Sequence, residues 1–172
     1  SDNKLLNTSE MILKNVDDIR HLIDEFSSFS RLPSPVLENI NYNKFIDDTY
    51  NFFKTSYPDI KFDKTSLSNI DKKLKIYADE KQLRQVIGNV IKNSSEHFQE
   101  NFILSKTITF SSIINQNNIV LSIEDNGVGI KEANKIKILE PYFTTKKNGT
   151  GLGLAISKKI IEDHHGEINI ES

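Results

Sequence analysis

The chain has 172 residues, 37% apolar and 27% charged, with a net charge of −2: room for one domain with a real core and an attached arm, and no global drive toward nucleic acid. The absence of cysteine excludes disulfides and thiolate chemistry. No apolar run approaches the roughly 20 residues that span a bilayer, and the sequence as given carries no secretory leader, so it reads as a cytoplasmic domain.

Residues 3 to 31 predict one long amphipathic helix. Leu5, Ile12, Val16, Ile19, Ile23, Phe26 and Ser30 follow three- and four-residue steps, and Leu6, Leu13, Leu22 and Phe29 widen the stripe. Such a face has to be buried. It either packs on its own domain or forms half of a helical hairpin that makes a bundle in a dimer. Arg31-Leu32-Pro33-Ser34-Pro35 ends the helix, because proline cannot continue it and pushes the residue before it toward extended geometry. Residues 33–36 therefore read as a short, stiff linker.

A compact region follows. Asn41 is placed to cap a helix over about residues 42 to 56, with Phe45, Ile46, Tyr50 and Phe53 inward. Ile60-Lys61-Phe62 and Leu74-Lys75-Ile76-Tyr77 alternate like half-buried strands. Asp79 opens a helix to about Gln99. Thr107 to Ile114 and Ile119 to Glu124 are strands joined by an Asn115-Gln116-Asn117-Asn118 turn. Then come a short helical stretch near residues 132 to 139, a glycine-rich loop, a helix from Leu152 to about His164 stopped by Gly166, and a last strand from Glu167 to Glu171. The order predicts an α+β fold, a two-layer sandwich with helices on one face of a mixed sheet.

Two glycine clusters stand out, Asp125-Asn126-Gly127-Val128-Gly129-Ile130 and Gly149-Thr150-Gly151-Leu152-Gly153-Leu154. Glycine costs backbone entropy, so its clustering marks a main chain that turns sharply or comes close to something. The second cluster runs into a helix, whose first N–H groups and dipole favour an anion. The pair reads as a nucleotide pocket with a carboxylate end and a phosphate end. Asp125 can accept from an exocyclic amine such as the adenine 6-amino group. Gly127 and Gly129 let the chain bend around the base, and Ile130 can cover its face. Thr150 is placed to cap the following helix.

Gln85, Asn89 and Asn93 form one polar stripe beside Leu83, Val86, Ile87, Val90 and Ile91. Taken alone it is either a solvent-facing amide stripe or the wall of a polar cavity. Read with the glycine clusters it favours the cavity, where an amide oxygen suits Mg2+ held mainly by phosphates. Between the clusters, Pro141-Tyr142-Phe143-Thr144-Thr145-Lys146-Lys147-Asn148 resembles a lid over phosphates, with Lys146 as the nearest cation or, alternatively, a solvated surface lysine. His21, His97, His164 and His165 lack metal-site spacing, and the last two sit where a positive ring favours the helix dipole.

Asn89…Asn93, Asp125-x-Gly127-x-Gly129, Pro141-Tyr142-Phe143-Thr144-Thr145-Lys146 and Gly149-Thr150-Gly151-Leu152-Gly153-Leu154 resemble, in order, the N, G1, F and G2 boxes of sensor histidine kinases. These belong to the gyrase, Hsp90, histidine kinase and MutL superfamily, whose ATP-binding module is the Bergerat fold. Asp24-Glu25-Phe26-Ser27-Ser28-Phe29-Ser30-Arg31-Leu32-Pro33 resembles the second dimerisation helix of NtrY-type nitrogen-regulation kinases. The resemblance implies ATP bound with Mg2+. Asn93 would coordinate the metal, Asn89 line the same site and Asp125 read adenine, with Gly127, Gly129 and Ile130 shaping the pocket. Lys146, beside Thr145, would approach the phosphates, which Gly149, Thr150 and the N–H groups of Gly151, Leu152 and Gly153 enclose. The γ-phosphate would pass to a histidine and then to an aspartate of a response regulator.

The resemblance also divides the chain: 1–32 as part of a dimerisation hairpin, 33–36 as linker, and 37–172 as the ATP-binding catalytic domain without its last strand. The acceptor motif, a histidine followed by an acidic residue, is absent, since His21 is followed by Leu22-Ile23. The chain therefore reads as a piece of a membrane-anchored sensor that dimerises through its leading helix, reaches the membrane only through upstream segments and cannot phosphorylate itself. Two other readings remain at this level: a non-catalytic nucleotide-binding module, and a serine kinase or ATP-hydrolysing clamp of the same superfamily.

Overall fold

The computed structural model describes residues 9, 11–17, 19, 20, 23, 26, 27, 32–65, 71–115, 118–146 and 149–172. Its elements run β1 (Glu38–Asn41), α1 (Tyr42–Ser56), β2 (Lys61–Thr65), β3 (Lys75–Ala78), α2 (Glu80–Glu100), β4 (Thr107–Asn115), β5 (Asn118–Asp125), α3 (Glu132–Lys135) and α4 (Gly153–Asp163). The expected long leading helix falls largely outside the described residues. Those described within it are helical, and Ile12, Val16, Ile19, Ile23 and Phe26 are exposed.

Asn41 starts α1 as its residue type predicts, its side-chain oxygen accepting from Lys44 N–H at 2.9 Å. Tyr42, Phe45, Ile46, Thr49, Tyr50 and Phe53 then recur at helical spacing and are buried. They meet Phe62 of β2, Ile108 and Phe110 of β4, and Ile87, Ile91 and Phe98 of α2 in one core. Tyr50 stands edge-on to Phe62 and Phe110, and its hydroxyl donates to Phe62 O at 2.7 Å. Burial pushes the Tyr42 phenol up; its bond with Ser112 Oγ at 2.6 Å offsets part of that. Phe98 and Phe110 are fully buried, and truncating either to alanine costs about 3–5 kcal/mol.

The described strands form two sheets. In the larger, of order β2-β4-β5, β2 runs parallel to β4 and β4 antiparallel to β5. The register pairs Phe110 with Ile123 and Ser112 with Leu121, so these side chains share the face that α1 and α2 cover. The opposite face carries Thr109, Ser111, Ser122 and Glu124, as expected of a sheet with one wet side. β1 and β3 pair antiparallel in a separate ribbon. The single mixed sheet of the sequence reading is thus corrected to a three-stranded sheet and a two-stranded one. The additional strand, β1, has the polar sequence Glu-Asn-Ile-Asn, which carries no strand pattern; only Ile40 packs on the core.

The last expected strand does not form. Residues 166–172 have no ladder partner among the described residues, although Ile168 and Ile170 are half-buried and their neighbours exposed. Alternation makes a segment compatible with a sheet, but a strand exists only when its backbone groups pair. At the end of α4, His165 rather than Gly166 takes the left-handed conformation, at φ 59. The His165 and Gly166 N–H groups close the helix on Glu162 O and Ile161 O.

α2 organises the rest. Asp79 caps it, Oδ1 accepting from Gln82 N–H at 3.1 Å and Oδ2 from Val36 N–H at 2.9 Å. Burial acts to raise the Asp79 pKa, but the N–H groups of Val36, Gln82 and Lys81 outweigh it and hold the carboxyl below its ordinary range. Asp79 N–H donates to His164 Nε2 at 2.9 Å, and His164 Nδ1 lies 2.8 Å from Ile160 O. A carbonyl can only accept, so the ring is the neutral Nδ1–H tautomer. This corrects the expected dipole role: His164 latches the end of α4 to the start of α2. Val86 of α2 packs on Leu152, Ile156 and Ile160, with Leu32 against the same cluster. Gln82 donates to Pro33 O at 2.9 Å, so residues 32–36 are fastened to the domain. No helix among the described residues is long and apolar enough to cross a membrane.

Candidate functional site

One face of α2 turns Ile87, Ile91 and Phe98 toward the sheet; the adjoining face carries Asn89, Asn93, Glu96 and His97. The polar stripe spans about 12 Å of helix axis from Asn89 to His97. Both glycine segments and the segment between them come to it.

At its start, Asn89 Nδ2 donates to Gly153 O at 2.9 Å and to Ser157 Oγ at 3.1 Å, fixing the first turn of α4. Gln85, the first residue of the expected stripe, is exposed instead. One turn beyond Asn89, Asn93 Oδ1 accepts from Lys146 Nζ at 3.2 Å, and Lys146 also pairs with Glu96. Next to Asn93, Ser94 Oγ donates to Asp125 Oδ2 at 2.6 Å. At the far end His97 lies against Gly127, where an added Cβ would come within 2.8 Å of the imidazole.

The carboxylate is held from two sides. Gly127 N–H donates to Asp125 Oδ1 at 2.9 Å. Asn126 pins the loop to the start of β4: its Oδ1 accepts from Thr107 N–H at 2.8 Å and its Nδ2 donates to Ser105 O at 2.7 Å. Asp125 remains exposed, with lone pairs to spare on both oxygens. His97 Nδ1 faces the Asn101 amide nitrogen at 3.3 Å, which places the ring proton on Nε2. That Nε2 is buried and without a partner among the described residues.

The glycine segment before α4 is tight for steric reasons. Gly151 has φ 69, and a Cβ there would lie 2.5 Å from Tyr142 C and 2.6 Å from Phe143 O. Its carbonyl accepts from Tyr142 N–H at 3.0 Å. Tyr142 is itself left-handed at φ 67, an uncommon conformation for a bulky residue. At Gly149 a side chain would collide with Thr144 Oγ1, which accepts from Lys146 N–H at 3.1 Å. Leu152, 1% exposed, is a core residue that anchors the segment to α2. The expected Thr150 cap is corrected: α4 begins at Gly153 with Leu152 in the cap position, and Thr150 Oγ1 accepts from Leu152 N–H at 3.4 Å. Leu152 itself offers no side-chain cap bond to the first turn of α4, whose N–H groups form the kind of helix start that favours an anion.

Gly129, at φ 77, and Ile130 sit against Ser172, whose Oγ accepts from Ile130 N–H at 2.6 Å. Thr145 is exposed. The sequence reading missed Ser94, Glu96, His97, Asn126 and Thr144. Continuing the 89–93 stripe by three and four residues points to Glu96 and His97; the others are visible only once the loops are in place. A separate open hollow of about 220 Å³ is lined by Ile40, Asn41, Lys44, Phe45, Asp48 and Glu80. Glu80 and Asn93 are about 20 Å apart along α2, so the two places are distinct. Among the described residues no cluster of three or more His, Asp or Glu is placed to hold a metal.

Residues 78–172 match the model of the histidine kinase-, DNA gyrase B- and HSP90-like ATPase family. The nitrogen regulation protein NtrY of Azorhizobium caulinodans is 33% identical over 94% of this chain, which spans 21% of that relative's length. The catalytic domain of histidine kinase ThkA superposes with a TM-score of 0.62 at 33% identity, covering 74% of this chain and 81% of the other. ThkA crystallised in complex with the response regulator TrrA superposes with a TM-score of 0.68 at 26% identity, covering 91% of this chain and 43% of the other.

Proposed function

The chain belongs to the histidine kinase-, DNA gyrase B- and HSP90-like ATPase family, and we propose that within it this is the ATP-binding catalytic domain of a two-component sensor histidine kinase with part of its dimerisation arm. The observation that carries the reading is the convergence on α2: Asp125 through Ser94, Lys146 on Asn93, and Gly153 on Asn89.

The residues fit a nucleotide. A Cβ at Gly151 would fill the space where the chain turns, and Leu152 at the start of α4 makes no side-chain cap bond. His97 Nε2, buried beside Gly127 and without a hydrogen-bond partner among the described residues, adds a polar group in need of a ligand. In this reading Asp125 accepts from the adenine amine, and Gly127 lets the base approach. Gly151 and Gly153 present N–H groups to the phosphates, and Lys146 supplies a positive charge there. Asn93 Oδ1 already engages a cation, the Lys146 ammonium, which supports it as a ligand for Mg2+. Mg2+ bound with the nucleotide would neutralise phosphate charge during transfer. Asn89 holds α4 in place for that arrangement.

The phosphoryl group then passes to a histidine outside these motifs and onward to a response regulator. The ThkA complex with TrrA supports a response regulator as a partner. Homodimerisation through the leading segment belongs to the same proposal, supported by the exposed apolar residues Ile12, Val16, Ile19 and Ile23, and with it an anchor in the bacterial inner membrane. The test is to incubate the chain with γ-labelled ATP and a separate histidine-bearing dimerisation hairpin from the same gene. An acid-labile phosphohistidine on the hairpin is expected. Nucleotide binding without any label on the hairpin would overturn the kinase reading.

A further inference from the structure

Lys146 is not a solvated surface lysine. Its Nζ donates to Asn93 Oδ1 at 3.2 Å and pairs with Glu96 Oε2, and its side chain is only 23% exposed. Asn93 and Glu96 are three residues apart on α2, hence neighbours on one helix face. A single nitrogen held by a neutral amide oxygen and an anionic oxygen marks the position of a cation. The other Glu96 oxygen is 4.0 Å from Lys92, which is 60% exposed, so that pair forms only the outer edge.

We propose that Asn93 and Glu96 form one cation seat, filled by Lys146 in the nucleotide-free chain and taken over by a divalent cation when a nucleoside triphosphate brings it in. The displaced lysine then turns to the phosphates. The proposal rests on the nucleotide reading above and adds Glu96 as a second protein oxygen of the seat. An ammonium is a compact point charge with three donors, and a hard divalent ion takes amide and carboxylate oxygens while keeping water and phosphate in its remaining positions. The two cannot occupy the seat together, because like charges at contact distance repel. With neither present, the Glu96 carboxylate faces a polyanion. Its charge therefore makes nucleotide binding depend on a cation.

Two substitutions move the system in opposite directions. Glu96→Gln keeps the shape and removes the charge. Lys146→Met keeps the length and removes the competitor. The affinity of an unhydrolysable ATP analogue, titrated calorimetrically in Mg2+ and in EDTA, gives a ratio for each variant. The ratio falls by about tenfold in E96Q and rises above wild type in K146M. Mn2+ titrated into the nucleotide-free chain supplies a second readout, the paramagnetic broadening of the Asn93 side-chain amide signals by NMR. Broadening sets in at lower Mn2+ in K146M than in wild type, and at higher Mn2+ in E96Q. Equal ratios and equal broadening in all three proteins overturn the cation seat. Failure of the wild type to bind nucleotide overturns the nucleotide reading instead, and the Mn2+ series still decides whether the seat exists.

Discussion

Replacing Asp125 with asparagine tests the base-reading end of the site with little change of shape. The carboxylate now accepts from Ser94 Oγ at 2.6 Å and from Gly127 N–H at 2.9 Å. An asparagine can keep the Gly127 bond with its oxygen and donate to the Ser94 hydroxyl, which can turn to accept. The loop is therefore expected to survive. What is lost is one acceptor for an exocyclic amine, with a donor put in its place. A hydrogen bond to a charged group contributes about 1.5–3 kcal/mol, so affinity for an adenine nucleotide should fall about ten- to a hundredfold. The substitution should also help a base that carries a carbonyl at that position, as guanine does. Calorimetric titration of wild type and D125N with unhydrolysable ATP and GTP analogues reads both effects, and the urea midpoint checks the fold. Adenine affinity within twofold of wild type in a folded D125N, with no gain for the guanine nucleotide, would refute the assignment of Asp125.

Two other outcomes follow from the geometry. Gly151→Ala places a side chain at φ 69 and within 2.5 Å of Tyr142 C. The left-handed conformation alone costs about 1–2 kcal/mol and the backbone collision adds to it, so the urea midpoint should drop and phosphate binding weaken together; an unchanged midpoint contradicts the turn as described. The depressed Asp79 pKa gives a stability contribution that is fully present above the unfolded value of about 3.9 and is lost as pH falls through the lower folded value. Asp79→Ala should therefore be destabilised at neutral pH by about 1 kcal/mol or more as a lost cap, with the gap to wild type closing in acid. Urea unfolding of both proteins across pH 3 to 7 checks this, and a gap that widens in acid has the wrong sign.

Much of the fold could be read from the sequence where one side chain signals one local event. Asn41 and Asp79 announce helix starts because a short side-chain oxygen reaches the N–H three residues on, and both do so. The buried positions of α1 follow from apolar spacing alone. Features that depend on a distant partner could not be read. β1 is four residues of mostly polar sequence and exists only through β3. Residues 167–171 alternate like a strand yet join no strand ladder among the described residues. His164 reads as a helix-end cation until Asp79 N–H is placed against its Nε2.

The site divides in the same way. The glycine clusters and the Asn89–Asn93 stripe predicted a convergence, because clustered glycine and a helical amide stripe each need an explanation that the other supplies. Which groups close the arrangement was not legible. Ser94 looks like a filler in a helix, and Glu96 looks like one solvated acid among 24 acidic residues. Only the folded chain brings one onto Asp125 and the other onto Lys146.

The central claim is that adenine nucleotide binds along this face of α2 and nowhere else on the domain. Backbone amide NMR of the isotope-labelled chain, titrated with an unhydrolysable ATP analogue and Mg2+, tests it directly. The largest shifts are expected at Asn89, Asn93, Asp125, Gly127, Lys146 and Gly151. Shifts centred on Ile40, Lys44, Asp48 and Glu80, or none at all at millimolar analogue, would contradict the account.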